Sequence, residues 1–375
     1  MSFFYRLLHQ PRKLWLRRAL FQIHLWMGVL LSLYIVMIAV TGSILVFRSE
    51  LTRALLPKSL SGYAPDRVAS PARVLERFRI AYPAATLENV QMPSPQAPVF
   101  LLFATDNHRH AFTLLADPVT ADLRMQPRTW LYWTYELHAN LLLGNAHGIQ
   151  VNGVGAVGLL LLTFTGLVLW WPGIRTWARG LGVGFRHNWR RINYDAHNAI
   201  GFWTLFIVSW WALSGICFAW YRQVTAAVAV ISPLKGMLAP VAPAEPKPGT
   251  DRVSFDQVLS AIHEASPNGK LFSLSDPLLL GTSVYALVDL REPGDFSHRD
   301  IISVSTADAR VLSVWHYGQN RTAGDWVLWA MHPLHFGTLW GTFVKILWAL
   351  GGVALAVVAI TGLLMYWNRF LRHQF

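Results

Sequence analysis

The sequence predicts an α-helical membrane protein with four transmembrane helices, arranged as two parallel repeats of span, periplasmic α+β module and span. Of the 375 residues, 53% are hydrophobic and only 14% are charged, a balance typical of membrane proteins. Four apolar runs, near residues 21–47, 150–171, 197–221 and 342–367, are long enough to cross a bilayer as helices. The single cysteine lies inside the third run, which argues against disulfides, Fe–S clusters and thiolate metal sites.

The first and third runs are copies of one pattern. In residues 23–48 and 197–222, a histidine is followed by one glycine after four residues and by another after eighteen, and each stretch ends on arginine. The first run is too long, and too rich in Trp and Tyr, to be the core of a signal peptide. We therefore count it as a true span.

The second and fourth runs match each other as well. Each follows a Leu-His-x5-Gly motif, at His138 and at His335, and each carries a Thr-Gly pair further along. Because each repeat holds an even number of spans, the two copies must run in the same orientation. We therefore expect a pseudo-twofold axis along the membrane normal.

The formal net charge of +12 is concentrated in three short segments, which argues against a nucleic-acid partner. These segments precede the first span, join the second to the third, and follow the fourth. They hold Arg6, Arg12, Lys13, Arg17, Arg18, Arg175, Arg179, Arg186, Arg190, Arg191, Arg369 and Arg372. The positive-inside rule then predicts a multi-pass protein in a lipid bilayer, with both termini and the short middle loop in the cytoplasm.

The two long segments, about 49–128 and 222–325, are then expected to face the periplasm. Each begins with a helical pattern and continues with strand-like runs, at 99–104 and 111–115 or at 283–290 and 301–305. The Pro-rich stretch 239–250 is predicted to be a linker. The predicted boundaries are 1–48 (N-terminus and first span), 49–128 (first module), 129–171 (outer ligand segment and second span), 172–196 (basic loop), 197–221 (third span), 222–325 (second module) and 326–375 (outer ligand segment, fourth span and tail).

Four histidines occupy equivalent places in the two repeats. His24 and His197 lie at the inner ends of the first and third spans, and His138 and His335 at the outer ends of the second and fourth. Each can face its own copy across the axis, whereas a span of roughly 25 residues keeps the two layers about 30 Å apart. Facing imidazoles between helices suit the axial positions of haem b, and nearby glycines leave room for a flat macrocycle. The sequence therefore predicts two haem b groups, bound non-covalently because it has no Cys-x-x-Cys-His motif.

Other interpretations of the histidines stay open. A histidine near a span end commonly serves helix packing, as do Thr-Gly and Ser-Gly pairs. Zinc is less favoured, because a two-histidine layer lacks the further Cys or carboxylate ligands of such a site. His332 is the alternative to His335 as outer ligand, and His147 and His316 are candidates for the surroundings of the outer site. The remaining histidines are predicted surface residues: His9, His108, His110, His187, His263, His298 and His373.

Several phrases resemble the PepSY-associated transmembrane proteins: the stretch 24–48, ELHANLLLG at 136–144, TGLVLWWP at 165–172 and HPLHFGTLWG at 332–341. Within that family the sequence is most similar to the bacterial inner-membrane ferric-siderophore reductases of the ferrioxamine reductase type. The resemblance implies a di-haem protein that passes electrons outward to a ferric siderophore of the hydroxamate type and releases ferrous iron.

The sequence has no dinucleotide-binding fingerprint, so an outside donor must supply electrons, either membrane quinol or a cytoplasmic reductase. Reduction of a chelated metal needs no acid–base triad, because the cofactor carries the redox step. Aromatic residues flank the outer histidines and form either a docking wall for the chelate or an interfacial belt. They are Trp130, Trp133, Trp315, Tyr317, Trp326 and Trp329.

Two other functional classes are weighed against this one. A transporter would place ionisable groups near the middle of the membrane, where these spans have almost none. A PepSY-type membrane sensor or binding protein, or a general di-haem electron carrier without a siderophore substrate, is the alternative function. A haem absorption band would separate the sensor and the transporter from the haem proteins.

Overall fold

The computed structural model describes residues 15–56, 65–95, 97–108, 110–174, 176–234, 253–291, 298–319 and 322–371. Its helices are α1 (Trp15–Leu45), α2 (Arg48–Leu55), α3 (Pro71–Ala81), α4 (Trp130–Asn140), α5 (Asn145–Trp170), α6 (Trp189–Ala219), α7 (Tyr221–Ile231), α8 (Phe255–Ala265), α9 (Ala323–Phe336) and α10 (Gly341–Tyr366). Its strands are β1 (Thr86–Gln91), β2 (Phe100–Thr105), β3 (Ala111–Ala116), β4 (Leu123–Met125), β5 (Lys270–Ser275), β6 (Ser283–Asp289), β7 (Arg299–Ser305) and β8 (Val311–Trp315). Some predicted features fall outside the described residues: Arg6, His9, Arg12, Lys13, Arg175, Arg372, His373 and the linker 239–250.

The chain divides into two compact units, each built from both halves of the sequence. The helical unit comprises Met1–Phe47, Trp130–Val228 and Ala330–Phe375. The sheet unit comprises Arg48–Thr129 and Ala229–Trp329.

In the helical unit, α1, α5, α6 and α10 are long and apolar enough to cross a membrane, which confirms the four predicted spans. Each of α1 and α6 packs against both α5 and α10. Their contacts bury a small apolar core, formed by Ile35, Ala39, Leu159, Leu162, Val208, Ala212, Leu355 and Ala356. The spans therefore form a four-helix bundle with α1 and α6 on opposite corners.

Helix α6 begins eight residues before the predicted start of the third span. Its N-cap is Asn188, whose side-chain oxygen accepts a hydrogen bond from the backbone N–H of Arg191 at 3.0 Å. Hydropathy marks only the apolar part of a span, so the polar first turns of α6 are missed by that signal. The first span is likewise longer than predicted, since α1 begins at Trp15 rather than near residue 21.

Arg17 stabilises the far end of α5. Its guanidinium donates to the carbonyls of Val168 and Trp171, both at 2.9 Å, and also to the carbonyl of Leu169. The last carbonyls of a helix have no partner within it, and the negative end of the helix dipole favours a cation there. A basic residue predicted only from the charge rule thus also caps a span.

Side chains of the spans fix the short helices α4 and α9. The amide of Asn152 on α5 donates to the carbonyls of His138 and Ala139, at 2.7 and 3.1 Å. The indole N–H of Trp348 on α10 donates to the carbonyl of Leu334 at 2.6 Å. These bonds satisfy carbonyls at the C-terminal ends of both short helices, next to the histidines that they carry.

The glycine of each Leu-His-x5-Gly motif makes the turn into the following span. Gly144 has φ +78° and Gly341 has φ +76°. This left-handed region is readily adopted by glycine and is strained for other residues. The spacing of the motif thus reflects the tight connection between a short helix and its span.

The eight strands form one antiparallel sheet in the order β4-β3-β2-β1-β5-β6-β7-β8. The sequence predicts two periplasmic modules, and the structure joins them edge to edge through β1 and β5. The four predicted strands correspond to β2, β3, β6 and β7. The other four are missed because β1 and β5 contain polar residues that strands disfavour, β4 has only three residues, and β8 is short.

Helices α3 and α8 pack on one face of this sheet, and each starts at a serine N-cap, Ser70 or Ser254. The shared core includes Val74 and Phe78 of α3 and Val258 of α8, all with no exposed surface. Both helices match the predicted helical patterns. The sheet unit is therefore one α+β domain with a single main core.

The two halves of the sheet unit are related by a pseudo-twofold axis. Val90 of β1 pairs with Leu274 of β5, and the interval between these two residues along the chain is the same as the interval between the caps Ser70 and Ser254. Residues separated by this repeat interval therefore occupy equivalent places around α3, β1 and β2 in one half and α8, β5 and β6 in the other.

Candidate cofactor site

The structure brings the four candidate histidines together as two pairs. The ring centres of His24 and His197 are 6.3 Å apart, and those of His138 and His335 are 6.5 Å apart. Both pairs have edge-to-face rings, at 85° and 64°. Each histidine therefore faces its own copy in the other repeat.

A serine or threonine hydroxyl lies at the Nδ1 atom of every one of these histidines. Within the first repeat, His24 on α1 contacts Thr165 on α5 at 2.9 Å. In the same repeat His138 on α4 contacts Thr41 on α1 at 3.0 Å. Helix α1 on one side, and α4 with α5 on the other, thus exchange a histidine for a hydroxyl in both directions.

The second repeat has the same exchange. His335 contacts Ser214 on α6 at 2.7 Å. His197 contacts Thr361 on α10 at 3.2 Å and also the carbonyl of Val358 at 3.0 Å. His197 therefore has a second acceptor at Nδ1, which distinguishes it from His335.

Each hydroxyl also donates its own proton to a backbone carbonyl four residues earlier, at 2.7 Å in all four cases. A hydroxyl that donates there offers its lone pairs to the imidazole, so the histidine must be the donor at Nδ1. This arrangement fixes the tautomer with the proton on Nδ1. The Nε2 lone pair is then free to bind a metal ion, as in metal sites where the second ring nitrogen is held by a hydrogen bond.

Glycines next to these hydroxyls give the imidazoles room. A Cβ atom on Gly42 would lie 2.9 Å from Cε1 of His138. Cβ atoms on Gly166 and Gly362 would lie 3.2 Å from Cε1 of His24 and His197. In each Thr-Gly pair the threonine therefore supplies a hydrogen-bond acceptor for one imidazole, and the glycine lets that same ring approach the helix backbone closely. The fourth pair differs, because a Cβ on Gly215 would meet the methyl group of Ala156.

A second set of glycines borders open space. Gly201 lies one helical turn after His197, and a Cβ placed there would meet nothing within 4 Å. Its counterpart Gly28 would meet only Leu162, at 3.9 Å. Residues four apart share a helix face, so both glycines lie beside the imidazole that precedes them. A flat group bound by these histidines would find room against the backbone there.

The spacing of both pairs suits one metal ion between two imidazoles. A metal–imidazole bond is about 2 Å long and a ring nitrogen lies roughly 1.2 Å from the ring centre, so trans ligands have centres ~6.4 Å apart. The observed 6.3 and 6.5 Å agree with this value. Among the residues that the structure describes, no group of three or more His, Cys, Asp or Glu could hold an ion. Two imidazoles per site suit haem, whose macrocycle fills the other positions, better than tetrahedral zinc.

The two pairs lie at opposite ends of the spans. His24 and Thr41 are both on α1, and Thr41 holds the other pair through His138. At about 1.5 Å per residue, the roughly 17 residues of helix from His24 to Thr41 rise about 25 Å. The layers are thus separated by somewhat less than the expected distance of about 30 Å.

Comparison with known families agrees with this architecture. The family model of the PepSY-associated TM region matches residues 21–369. The chain belongs to the PepSY-associated transmembrane family. The match includes the apolar parts of all four spans, all four paired histidines and the whole sheet unit. A search among curated proteins finds no match.

In this PepSY-associated protein the partner of His138 is His335, and His332 lies beside the pair. The His332 ring contacts Phe336 at 4.4 Å and Phe218 at 6.4 Å, whereas the contact with His138 is made by His335. Burial lowers the pKa of His138 to about 4 and that of His335 to about 3, in short helices outside the four spans. Both rings are therefore neutral near pH 7, the form that binds metals.

The other histidines have separate roles or surroundings. His316 donates from Nδ1 to Asp300 at 2.9 Å within the sheet unit. The ring of His298 lies 4.5 Å from that of Tyr317 in the same unit, and His298 is half-buried rather than a surface residue. His147 is exposed at the start of α5. The remaining histidines predicted to lie at the surface are exposed where the structure describes them: His108, His110, His187 and His263.

The candidate aromatic wall is only partly at the surface. Trp130, Trp133 and Trp326 are 44–50% exposed. Trp315 is 7% exposed and is a core residue of the sheet unit, which removes it from any docking surface. Tyr317 contacts Trp329 at 6.2 Å, so these two rings pack together.

Proposed function

We propose that this PepSY-associated protein is a haem-dependent reductase of the inner membrane, which passes electrons across the bilayer to a periplasmic ferric siderophore. The observation that carries the proposal is the geometry of the two histidine pairs, with their metal-compatible spacing and fixed tautomers. Two haem b groups would supply one-electron transfer at these sites. The chelated ferric ion gains one electron and leaves as ferrous iron.

The residues of the chain hold and orient the groups. His24 and His197 are the ligands proposed for one haem, and His138 and His335 for the other. The four hydroxyls accept from Nδ1 of the imidazoles, which keeps the proton on Nδ1 and leaves Nε2 unprotonated as the ligand nitrogen. The glycines beside the pairs leave space for a macrocycle, and the apolar spans exclude water from the path between the layers.

The charge pattern supports the direction of transfer. Arg17 and Arg190 lie on α1 and α6, on the same side of the spans as His24 and His197. By the positive-inside rule this end is cytoplasmic, where quinol or a cytoplasmic reductase would supply the electrons. The pair formed by His138 and His335 is then the exit, on the periplasmic side, where a ferric siderophore of the hydroxamate type would be reduced.

The experiment that tests this function replaces His335 by Ala in the full chain. Pyridine haemochrome analysis should give two haems per wild-type chain and one per variant chain. After reduction with dithionite, a ferric hydroxamate siderophore should reoxidise the wild-type protein and fail to reoxidise the variant. His332→Ala is the matched control on the same helix and should keep both haems.

Three outcomes would contradict parts of the scheme. A wild-type protein with no haem would leave a PepSY-type sensor or binding protein. Two haems that no ferric chelate reoxidises would leave a di-haem electron carrier with another acceptor. Loss of haem from His332→Ala, but not from His335→Ala, would move the ligand to His332.

A further inference from the structure

The pseudo-twofold axis of the sheet unit allows each half to serve as a reference for the other. Tyr82 is the C-cap of α3, and its counterpart one repeat interval later is Ser266, the C-cap of α8. Phe78 and Ile262 correspond by the same interval. On the strands, Phe112 pairs with Ala104 and Asp300 pairs with Val288, the counterpart of Ala104. Phe112 and Asp300 therefore hold equivalent positions.

In the first half these positions form an aromatic stack. The ring of Tyr82 lies 5.7 Å from that of Phe78 and 5.6 Å from that of Phe112. Aromatic pairs at such distances stabilise a core beyond the area that they bury. The phenol ring of Tyr82 thus fills the space between the end of α3 and the strands.

In the second half smaller and more polar side chains replace the stack. The counterparts are Ile262, Ser266 and Asp300, and the Ser266 hydroxyl donates to Asp300 at 2.8 Å. Asp300 is 2% exposed and also accepts from Nδ1 of His316 and from the backbone N–H of Tyr317. The first half shows that the fold does not require a polar network here.

An open cavity of about 390 Å³ lies beside Ser266, the residue that replaces the aromatic ring, and is lined by residues of both halves of the sheet unit. Its walls are mostly apolar and include Met92, Phe100, Leu259, Ile262 and Val288, with the exposed His263 at the rim. The volume falls at the lower end of the range for small-molecule sites. The equivalent walls of the first half include the side chains of Phe78 and Tyr82.

The chemistry of Ser266 defines what the cavity accepts. Its hydroxyl proton is used in the bond to Asp300, so its oxygen offers only lone pairs to a molecule in the cavity. Such a molecule must bring a hydrogen-bond donor for the serine and an apolar body for the walls. The phenol side chain of Tyr82 combines these two properties in the equivalent place.

We propose that this cavity binds a single aromatic ring that carries a hydroxyl group, a molecule of the size of phenol or catechol. The ring lies beside Ser266, in the region that corresponds to the Tyr82 side chain. Because Ser266 stands where that side chain begins, the ligand points the opposite way from Tyr82, and its hydroxyl faces Ser266 and donates to it. The site lies wholly within the sheet unit. It is independent of the histidine pairs and of the proposed reductase activity.

The test measures binding of 4-methylphenol to the full chain in lipid nanodiscs by ligand-observed NMR, with empty nanodiscs subtracted. Toluene lacks the hydroxyl and methylcyclohexanol lacks the aromatic ring. The wild-type protein should bind 4-methylphenol more tightly than either analogue. Ser266→Ala keeps the cavity but removes the hydrogen-bond acceptor. It should therefore weaken the binding of 4-methylphenol about tenfold and leave the binding of toluene unchanged.

Ser266→Tyr places in the second half the residue that the first half already accommodates. This change should abolish binding of both aromatic compounds. Tyr82→Phe is the control in the other half and should leave binding unchanged. Equal binding of 4-methylphenol to the wild-type protein, Ser266→Ala and Ser266→Tyr would overturn the proposal, as would wild-type binding no stronger than that of empty nanodiscs. Preference for methylcyclohexanol over 4-methylphenol would refute the aromatic part.

Discussion

Replacing Ser214 by Ala removes one hydroxyl from the partners of the histidine pairs. Ser214 has no exposed surface, accepts from Nδ1 of His335 at 2.7 Å and donates to the carbonyl of Trp210. Water cannot easily replace a hydroxyl at so enclosed a position. The imidazole must then either leave its Nδ1 proton without an acceptor or move that proton to Nε2.

The unpaired proton and the shifted tautomer have similar free-energy costs. A buried donor without a partner costs about 1–3 kcal/mol. Moving the proton to Nε2 blocks the nitrogen that would bind the metal, and loss of such an outer partner typically weakens metal binding about 10- to 100-fold. At about 1.4 kcal/mol per tenfold change, the second route corresponds to roughly 1.4–2.7 kcal/mol. We therefore expect Ser214→Ala to weaken haem binding at the His138–His335 pair by at least about tenfold.

The assay is titration of haem into haem-depleted protein, with absorbance giving the affinity at each site. Ser214→Thr is the rescue variant, because threonine holds this role at the other three histidines, and it should restore binding. Thr361→Val is the matched control: His197 keeps the carbonyl of Val358 at 3.0 Å, so its site should weaken much less. Equal haem affinity in Ser214→Ala and the wild-type protein would refute the reasoning, and so would a larger loss in Thr361→Val.

Two further predictions follow from close contacts. Gly42→Ala puts a methyl group 2.9 Å from the ring of His138 and should reduce haem content. Gly201→Ala meets no protein atom within 4 Å, so it should leave the haem-free protein at least as stable as the wild-type protein while weakening haem binding. Equal haem content in both variants and the wild-type protein would contradict this. In the sheet unit, Asp289→Ala leaves Arg299 without the buried carboxylate that it contacts at 2.6 Å. The free energy of unfolding, measured by chemical denaturation, should fall by about 3–5 kcal/mol. A loss below about 1 kcal/mol would contradict this prediction.

The spans and the histidine pairs could be predicted because their signals are local and repeated. A long apolar run identifies a span, and a histidine at the same place in two copies identifies a pair across the axis. The ends of the spans are harder to predict from the sequence. Asn188 caps α6 well before the apolar run begins, and this polar start looks like loop sequence until the cap is seen.

The hydroxyl partners of the histidines have a sequence signal, but helix packing alone would also account for it. A Thr-Gly or Ser-Gly pair recurs in every span, and such pairs are common packing devices in membranes. Only the three-dimensional structure shows that Thr165 faces His24 on α1 and that Thr41 faces His138 on the short helix α4. The pairing is non-local, so spacing along the chain does not reveal it.

The joining of the two modules could not be predicted from the sequence. The pairing of β1 with β5 brings together residues from opposite halves of the chain, and neither strand has a clear alternating pattern. Antiparallel pairing of two edges removes both from solvent, which protects them from unwanted strand addition. Once Val90 pairs with Leu274, the axis of the sheet is fixed.

The two repeats match closely around the histidines of the helical unit but differ in the core of the sheet unit. Around the histidines, both repeats keep the ligand, the hydroxyl and the neighbouring glycine, although a serine replaces threonine at position 214. In the sheet unit the second half has Ser266 and Asp300 where the first half has Tyr82 and Phe112. One scaffold therefore accommodates an aromatic stack in one half and a polar network in the other. The matching histidines support the proposed haem sites, which use both copies, and the different sheet positions support the proposed ligand site, which belongs to one half only.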